Sequence, residues 1–466
     1  MSSSLPPISN VAARDVASLI HPYTNLDAVR QTGPLILERG EGIYVYDTLG
    51  KPYIEGLSGL WCTSLGFNEH ELVSAALDQM RRLPYEHQFA GKSHEPGIAL
   101  AEKLKEIAPA PVSKVLFACS GSEANDTQIK LIWYYNNARG KPKKKRIISR
   151  HKAYHGVTIA AGSLTGLPPV HRDFDLPLPF ALHTDCPHHY RYAEDGESEE
   201  DFATRLADNL DAMIQREDPD TIAAFIAEPV MGAGGVLIPP ATYFEKIQAV
   251  LAKYDILLID DEVICGFART GNMFGAQTFG MKPDLISVAK ALTSAYAPLS
   301  AVLIPEMIYE AMLSESRKIG TFGHGYTFGG HPVSCAVGLR TLEIYERRNI
   351  LGHVNEVSTR FLERLHALGD YPMVGEARGV GLLGAFELVA NKAAKANFDP
   401  ARGVAAQCAK LCEKNGLIVR PMMSDRIGLC PPLIITEAQI DDLFDRLQAS
   451  LRELEAWARI EGLVGV

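Results

Sequence analysis

The chain alternates short, almost wholly apolar runs with longer segments in which apolar residues recur every three or four positions. The first pattern predicts strands buried on both faces of a parallel sheet, and the second predicts amphipathic helices laid against it. Val115 to Ala118, Arg146 to Ser149, Ile222 to Ala227, Ile256 to Ile259, Leu285 to Ala289 and Ala301 to Ile304 read as strands. Helical spacing marks Glu69 to Leu83, Gly97 to Ile107, the stretch from Asn125 to about Gly140, and a long segment from Pro332 to about Leu368. Gly42 to Ile54 reads as a hairpin with Leu49-Gly50 at its turn, and Gly56 to Trp61 as a glycine-rich loop carrying a large aromatic. Residues 1–40 are polar and mixed, an arm plus one short helix. Lys141 to Arg146 (KPKKKR) and Glu194 to Asp201 (EDGESEED) read as solvated loops, and Thr321 to Pro332 as an irregular connection. Beyond Pro332 helices and strands alternate again, as in a second, α+β domain.

In an open α/β sheet, ligands bind just beyond the carboxyl ends of the strands. Five predicted strands end in a polar or aromatic candidate: Ser120, Tyr154, Glu228, Asp261 and Lys290. Asp261 and Lys290 together offer a carboxylate and an amine to one rim. Pyridoxal phosphate needs that pair, a lysine for its Schiff base and an acid beside its pyridine nitrogen. An Asp-Glu strand end also suits a magnesium nucleotide site. Gly91-Lys92-Ser93 resembles the close of a phosphate loop, but Glu86 stands where that motif needs glycine. Ser120 to Asn125 opening a helix is an anion site in one reading and an ordinary N-cap in the other. Tyr154 and His155 could stack on a flat ring, or merely pack. Arg420, after Gly416 to Val419, is suited to bidentate carboxylate recognition.

Totals narrow the choice. At 466 residues the chain is expected to form two or three domains. A net charge of −10 argues against nucleic acid or an anionic membrane as partner. No apolar run reaches membrane-spanning length, and the first ten residues lack a secretory signal. Eight scattered cysteines without a Cys-x-x-Cys pair point to free thiols and a cytoplasmic protein, with no metal site.

Ser-Gly-Ser-Glu-Ala-Asn at 120–125, Tyr-His-Gly at 154–156, Asp-Glu-Val at 261–263, Gly-Phe-x-Arg-Thr-Gly at 266–271, Ala-Lys-Ala-Leu at 289–292 and Gly-x-Thr-Phe at 325–328 occur in this order. Together they resemble the class III aminotransferases, pyridoxal phosphate enzymes of fold type I, from about Gly42 to about Thr436. Gly-Leu-Trp at 59–61, Phe89 and Ile-Val-Arg-Pro at 418–421 resemble the amine–pyruvate (ω-) transaminases within that class.

The resemblance implies a large domain with a mostly parallel central sheet flanked by helices (65–332). It also implies a smaller α+β domain built from both ends of the chain (1–64 and 333–466). Lys290 would form the Schiff base and shuttle the proton, and Asp261 would pair with the pyridine nitrogen. Tyr154 and Val263 would cover the two ring faces. Ser120, Gly121, Ser122, His155 and Glu228 would complete the cofactor site, with Thr327 supplied across a homodimer, two of which could pair as a tetramer. Trp61, Phe89 and Tyr154 would shape the substrate pocket, and Arg420 would bind the keto-acid carboxylate. The implied reaction is ping-pong transfer of an amino group from a primary amine to pyruvate, with S preference. An aminomutase or racemase on the same scaffold is the alternative.

Overall fold

The structure is a computed structural model describing residues 10–464. Seven strands, numbered in chain order, form the largest sheet: β1 (Lys114–Ala118), β2 (Arg146–Arg150), β3 (Ala181–Thr184), β4 (Ile222–Ala227), β5 (Leu257–Asp261), β6 (Leu285–Val288) and β7 (Ser300–Ile304). Their order is β1-β7-β6-β5-β4-β2-β3. Strands β2 to β6 are mutually parallel, while β7 runs antiparallel to both β6 and β1. Every residue of β4, β5, β6 and β7 is buried, as expected for strands covered by helices on both faces. The carboxyl ends of β1, β2, β4, β5 and β6 therefore share one edge. This is the mostly parallel α/β sheet that the apolar runs predict.

The helix Gly121–Ala138 starts at that edge. Ser120 caps it through a reciprocal box: Ser120 Oγ accepts from the Glu123 amide at 3.2 Å, and the Glu123 carboxylate accepts from the amides of Ser120 at 3.1 Å and Cys119 at 2.7 Å. Its apolar face (Ala124, Ile129, Leu131, Ile132) packs on the sheet.

Two four-stranded sheets pack into one apolar cluster with β6 and β7 of the large sheet. In one, the predicted hairpin (Tyr44–Asp47 with Pro52–Glu55) pairs through Pro52–Glu55 with Leu417–Ile418, so both ends of the chain meet. In the other, Val374–Val380, Leu383–Leu388, Arg426–Leu429 and Arg420–Met422 are antiparallel neighbours. The run 417–422 thus leaves one sheet after Ile418 and enters the next at Arg420.

Four expectations need correction. Residues 1–9 lie outside the described residues, and the rest of the arm holds two helices, Asn10–Ser18 and Leu26–Thr32. The long segment after Pro332 is two helices, Pro332–Arg347 and Ile350–His366, broken at Asn349 with φ 48°, whose side chain accepts from the Gly352 amide at 3.3 Å. The acidic run 194–201 is only partly loop. Ser198 caps the helix Glu199–Arg216, and the acids of its first turn face the positive end of the helix dipole. The basic run is not wholly solvated either. Lys144 is 2% exposed, and its amine donates to the carbonyls of Tyr254, at 2.8 Å, and Asp255.

Candidate active site

Asp261 ends β5 and is 3% exposed. Its Oδ2 accepts from Asn125 Nδ2 at 2.8 Å and meets His155 Nδ1 at 2.7 Å, and its Oδ1 accepts from the Val263 amide at 3.2 Å. Asn125 also donates to the His155 carbonyl at 2.7 Å. The carboxylate is therefore fixed by the strand, the β1–helix turn and the segment after β2. His155 Nε2 is buried and has no hydrogen-bond partner among the described residues. Strand alternation turns Asp260 and Glu262 away from Asp261. Glu262 accepts from the amides of Gly275 at 3.0 Å and Ala276 at 2.6 Å, and burial pushes its carboxyl up to about 7. Burial, and then the Glu262 charge, raises Asp260 well above the carboxylate range.

Lys290 follows β6 with φ 50°, opening a short 3-10 turn. Burial lowers its pKa, a tendency opposed by the charge of Asp261 and reinforced by that of Arg420. A lysine so placed spends more time as the neutral amine, the form that attacks carbonyls and accepts protons.

At the Ser120–Ser122 turn the first helix amides have no intrahelical acceptor and point toward the shared edge. Backbones approach closely around it. A Cβ on Gly121 would lie 3.0 Å from Val263 Cγ1, and one on Gly156 (φ +133°) would lie 2.5 Å from Ser122 Oγ. Ser122 Oγ accepts from the Val157 amide at 3.1 Å. The result is a small-residue cradle with a helix N-terminus at its base, suited to a phosphate.

Glu228, after β4, serves as a brace. Its carboxylate accepts from the amides of Tyr154 at 3.0 Å and Gly232 at 2.9 Å, and its carbonyl accepts from Arg150 Nη2 at 2.7 Å. It thereby fixes Tyr154. Burial, then the hydrogen bond its hydroxyl donates to Tyr23, raises the Tyr154 pKa. The two rings meet edge to face, 6.4 Å between centroids. Trp61 is 3% exposed, clustered with Val230, Val236, Ile264 and Met422. Arg420 is half-buried; burial lowers its pKa, and the nearby hydroxyls of Tyr154 and Tyr23 oppose that. Among the described residues its guanidinium has no carboxylate partner.

Phe89 and Thr327 are exposed and belong to a different cluster. The Thr327 carbonyl accepts from Tyr85 OH at 2.7 Å, a Cβ on Gly325 would lie 2.7 Å from the Phe89 ring, and Tyr85 meets Phe328 at 5.9 Å. None of these contacts reaches Lys290 or Asp261. Asn125 and Tyr23 were not singled out from the sequence. Asn125 sits inside the helix-opening motif, one turn in, where its side chain faces β5. Tyr23 carries no local signal and arrives from far along the chain.

The model for the family "Aminotransferase class-III" matches residues 27–451. The chain belongs to the class III aminotransferases. Gamma aminobutyrate transaminase 3, chloroplastic, of Solanum lycopersicum is 51% identical over 453 residues, 96% of this chain and 87% of that protein. Gamma aminobutyrate transaminase 1, mitochondrial, of the same plant is 51% identical over 446 residues, 96% and 86% respectively. Among solved structures, the omega transaminase of Pseudomonas jessenii in complex with PMP is 50% identical with a TM-score of 0.95, covering 96% of this chain and 99% of that one. A transaminase with L-alanine is 55% identical with a TM-score of 0.89, covering 91% and 99%.

The cofactor of this class III aminotransferase is pyridoxal 5′-phosphate, and the fold is type I. The residues fit that group: a buried lysine amine, a braced carboxylate with a buried imidazole behind it, and a cradle that a single Cβ would obstruct.

Proposed function

We propose that the enzyme transfers the amino group of a primary amine to pyruvate in two half-reactions, alanine leaving in the second. The observation that carries this reading is Arg420, a half-buried guanidinium without a carboxylate partner among the described residues, within electrostatic reach of both Lys290 and Tyr154. Such a group binds a short keto acid by two parallel hydrogen bonds, while the Trp61 cluster offers an apolar wall to the amine. The L-alanine bound to a 55% identical transaminase supports the acceptor, and the names of the plant relatives support γ-aminobutyrate as one donor.

Bound pyridoxal phosphate supplies an electron sink for the charge left when a proton leaves the amine carbon. Lys290 Nζ would take that proton from the amine carbon and hand it to the cofactor rather than back to the carbon it left, its pKa being lowered by burial. The Asp261 carboxylate, held by Asn125 and His155, keeps a positive charge favourable beside it. Tyr154, braced by Glu228, presents its ring over the site. The exposed Phe89 and Thr327 cluster belongs, in this reading, to the site of a second copy in a homodimer. S preference is the expected handedness, and the eight free thiols suit a reducing compartment.

The test is acceptor choice. With γ-aminobutyrate or 1-phenylethylamine as donor, initial rates with pyruvate should form alanine and give parallel double-reciprocal lines. Rates with 2-oxoglutarate alone, and none with pyruvate, would contradict the reading.

A further inference from the structure

The turn that carries Trp61 is strained. Ser58, Gly59 and Trp61 have φ of 52°, 66° and 65°, a conformation costing about 1 kcal/mol or more at each non-glycine residue. Backbone bonds close the turn on itself: the Trp61 amide donates to the Leu57 carbonyl at 2.9 Å, and the Cys62 and Thr63 amides donate to the Ser58 carbonyl at 3.0 Å. Ser58 Oγ donates to the Cys430 carbonyl at 2.6 Å, and the Cys430 amide to the Gly56 carbonyl at 2.7 Å.

Glu55 lies at the root of this turn. It ends the strand Pro52–Glu55, is 4% exposed and has no cationic partner among the described residues. Its carboxylate accepts from the amides of Leu57, at 3.1 Å, and Gly59. A buried carboxylate without a cation is expensive, and transamination assigns it no step. What it holds is specific. The Trp61 indole packs on Gly428, where a Cβ would lie 3.1 Å from the ring, and Gly428 is the register partner of Arg420. Trp61 and the keto-acid arginine are thus set by one pair of strands.

We propose that Glu55 is a positioning residue for amine selection: it fixes the 57–61 turn and so sets how far the Trp61 indole stands over the site. The bulk of amine admitted then depends on Glu55. This rests on Trp61 being a pocket wall, as proposed above.

The experiment compares Glu55→Gln, Glu55→Asp and Trp61→Leu, each loaded with cofactor, using 1-phenylethylamine and the smaller sec-butylamine. Glu55→Gln should raise the bulky-to-small ratio of kcat/KM about tenfold, in the same direction as Trp61→Leu, with KM for pyruvate unchanged. In the Trp61→Leu background it should add nothing to the ratio. A second readout needs no turnover: with Trp133 and Trp457 replaced by Phe, Glu55→Gln should make Trp61 fluorescence more accessible to acrylamide. If Glu55→Gln does not fold, Glu55→Asp carries the test with a smaller shift of the same sign. Equal losses for both amines, or a ratio shift that persists without Trp61, would overturn the proposal. A Trp61→Leu ratio that does not move would overturn it by a different route, through the pocket reading itself.

Discussion

Arg420→Ala tests the proposed keto-acid role of Arg420. The guanidinium is half-buried and has no carboxylate partner among the described residues, so its removal orphans no carboxylate among them; the loss falls on the substrate. Truncating one partner of a desolvated charge pair costs about 2–5 kcal/mol. Partial exposure at Arg420 argues for the lower part of that range, about 2–3 kcal/mol, which is roughly 30- to 150-fold in kcat/KM for pyruvate. The half-reaction of 1-phenylethylamine, which carries no carboxylate, should change by less than about threefold. γ-Aminobutyrate, which does carry one, should fall together with pyruvate. Pyruvate dependence is read from steady-state rates at saturating amine, and the amine half-reaction from single-turnover absorbance decay. Equal losses for pyruvate and 1-phenylethylamine would refute the assignment, because they would show that Arg420 supports the site as a whole.

Three further outcomes follow from named contacts. Asp261→Asn keeps the shape but removes the charge that Asn125 and His155 hold in place, and should lower kcat/KM for every amine by about 10²–10³-fold; a loss confined to one substrate would contradict its role. Gly156→Ala places a Cβ 2.5 Å from Ser122 Oγ at φ +133°. It should weaken cofactor retention about tenfold or more in a titration of apoenzyme, whereas Gly369→Ala, with nothing within 4 Å and no positive φ, should leave it unchanged. Asp260 is raised by burial and by Glu262, so folding favours its protonated form. That stability is whole below the ordinary carboxylate value and drains away as pH climbs toward the raised one. Asp260→Asn should therefore gain in Tm relative to the parent between pH 5 and pH 8, and an unchanged difference would contradict the assignment.

The sheet was legible where burial on both faces leaves an unbroken apolar run, as in Ile222–Ala227 and Leu257–Ile259, and its active edge was legible because Asp261 and Lys290 interrupt such runs. Strand Ala181–Thr184 is short and includes a histidine, so no run announces it. Lys144 could not be read from KPKKKR, since its burial depends on the Tyr254 and Asp255 carbonyls more than a hundred residues away. The break at Asn349 hides because Asn tolerates both helix and left-handed backbone. Tyr23 reaches Tyr154 only through the tertiary path of the N-terminal arm. Glu228 was legible as a strand end, but its work as a brace for Tyr154 and Gly232 appears only when the loop after it is folded back.

Lys290, Asp261 and Arg420 are proposed to serve one cofactor through both halves of an amine–pyruvate exchange. The direct measurement is the visible spectrum of purified enzyme, first with 1-phenylethylamine or γ-aminobutyrate added and then with pyruvate. The expected result is a yellow band that fades with amine and returns with pyruvate as alanine appears. A band that fades and does not return with pyruvate, or no band at all after reconstitution with pyridoxal phosphate, would contradict it.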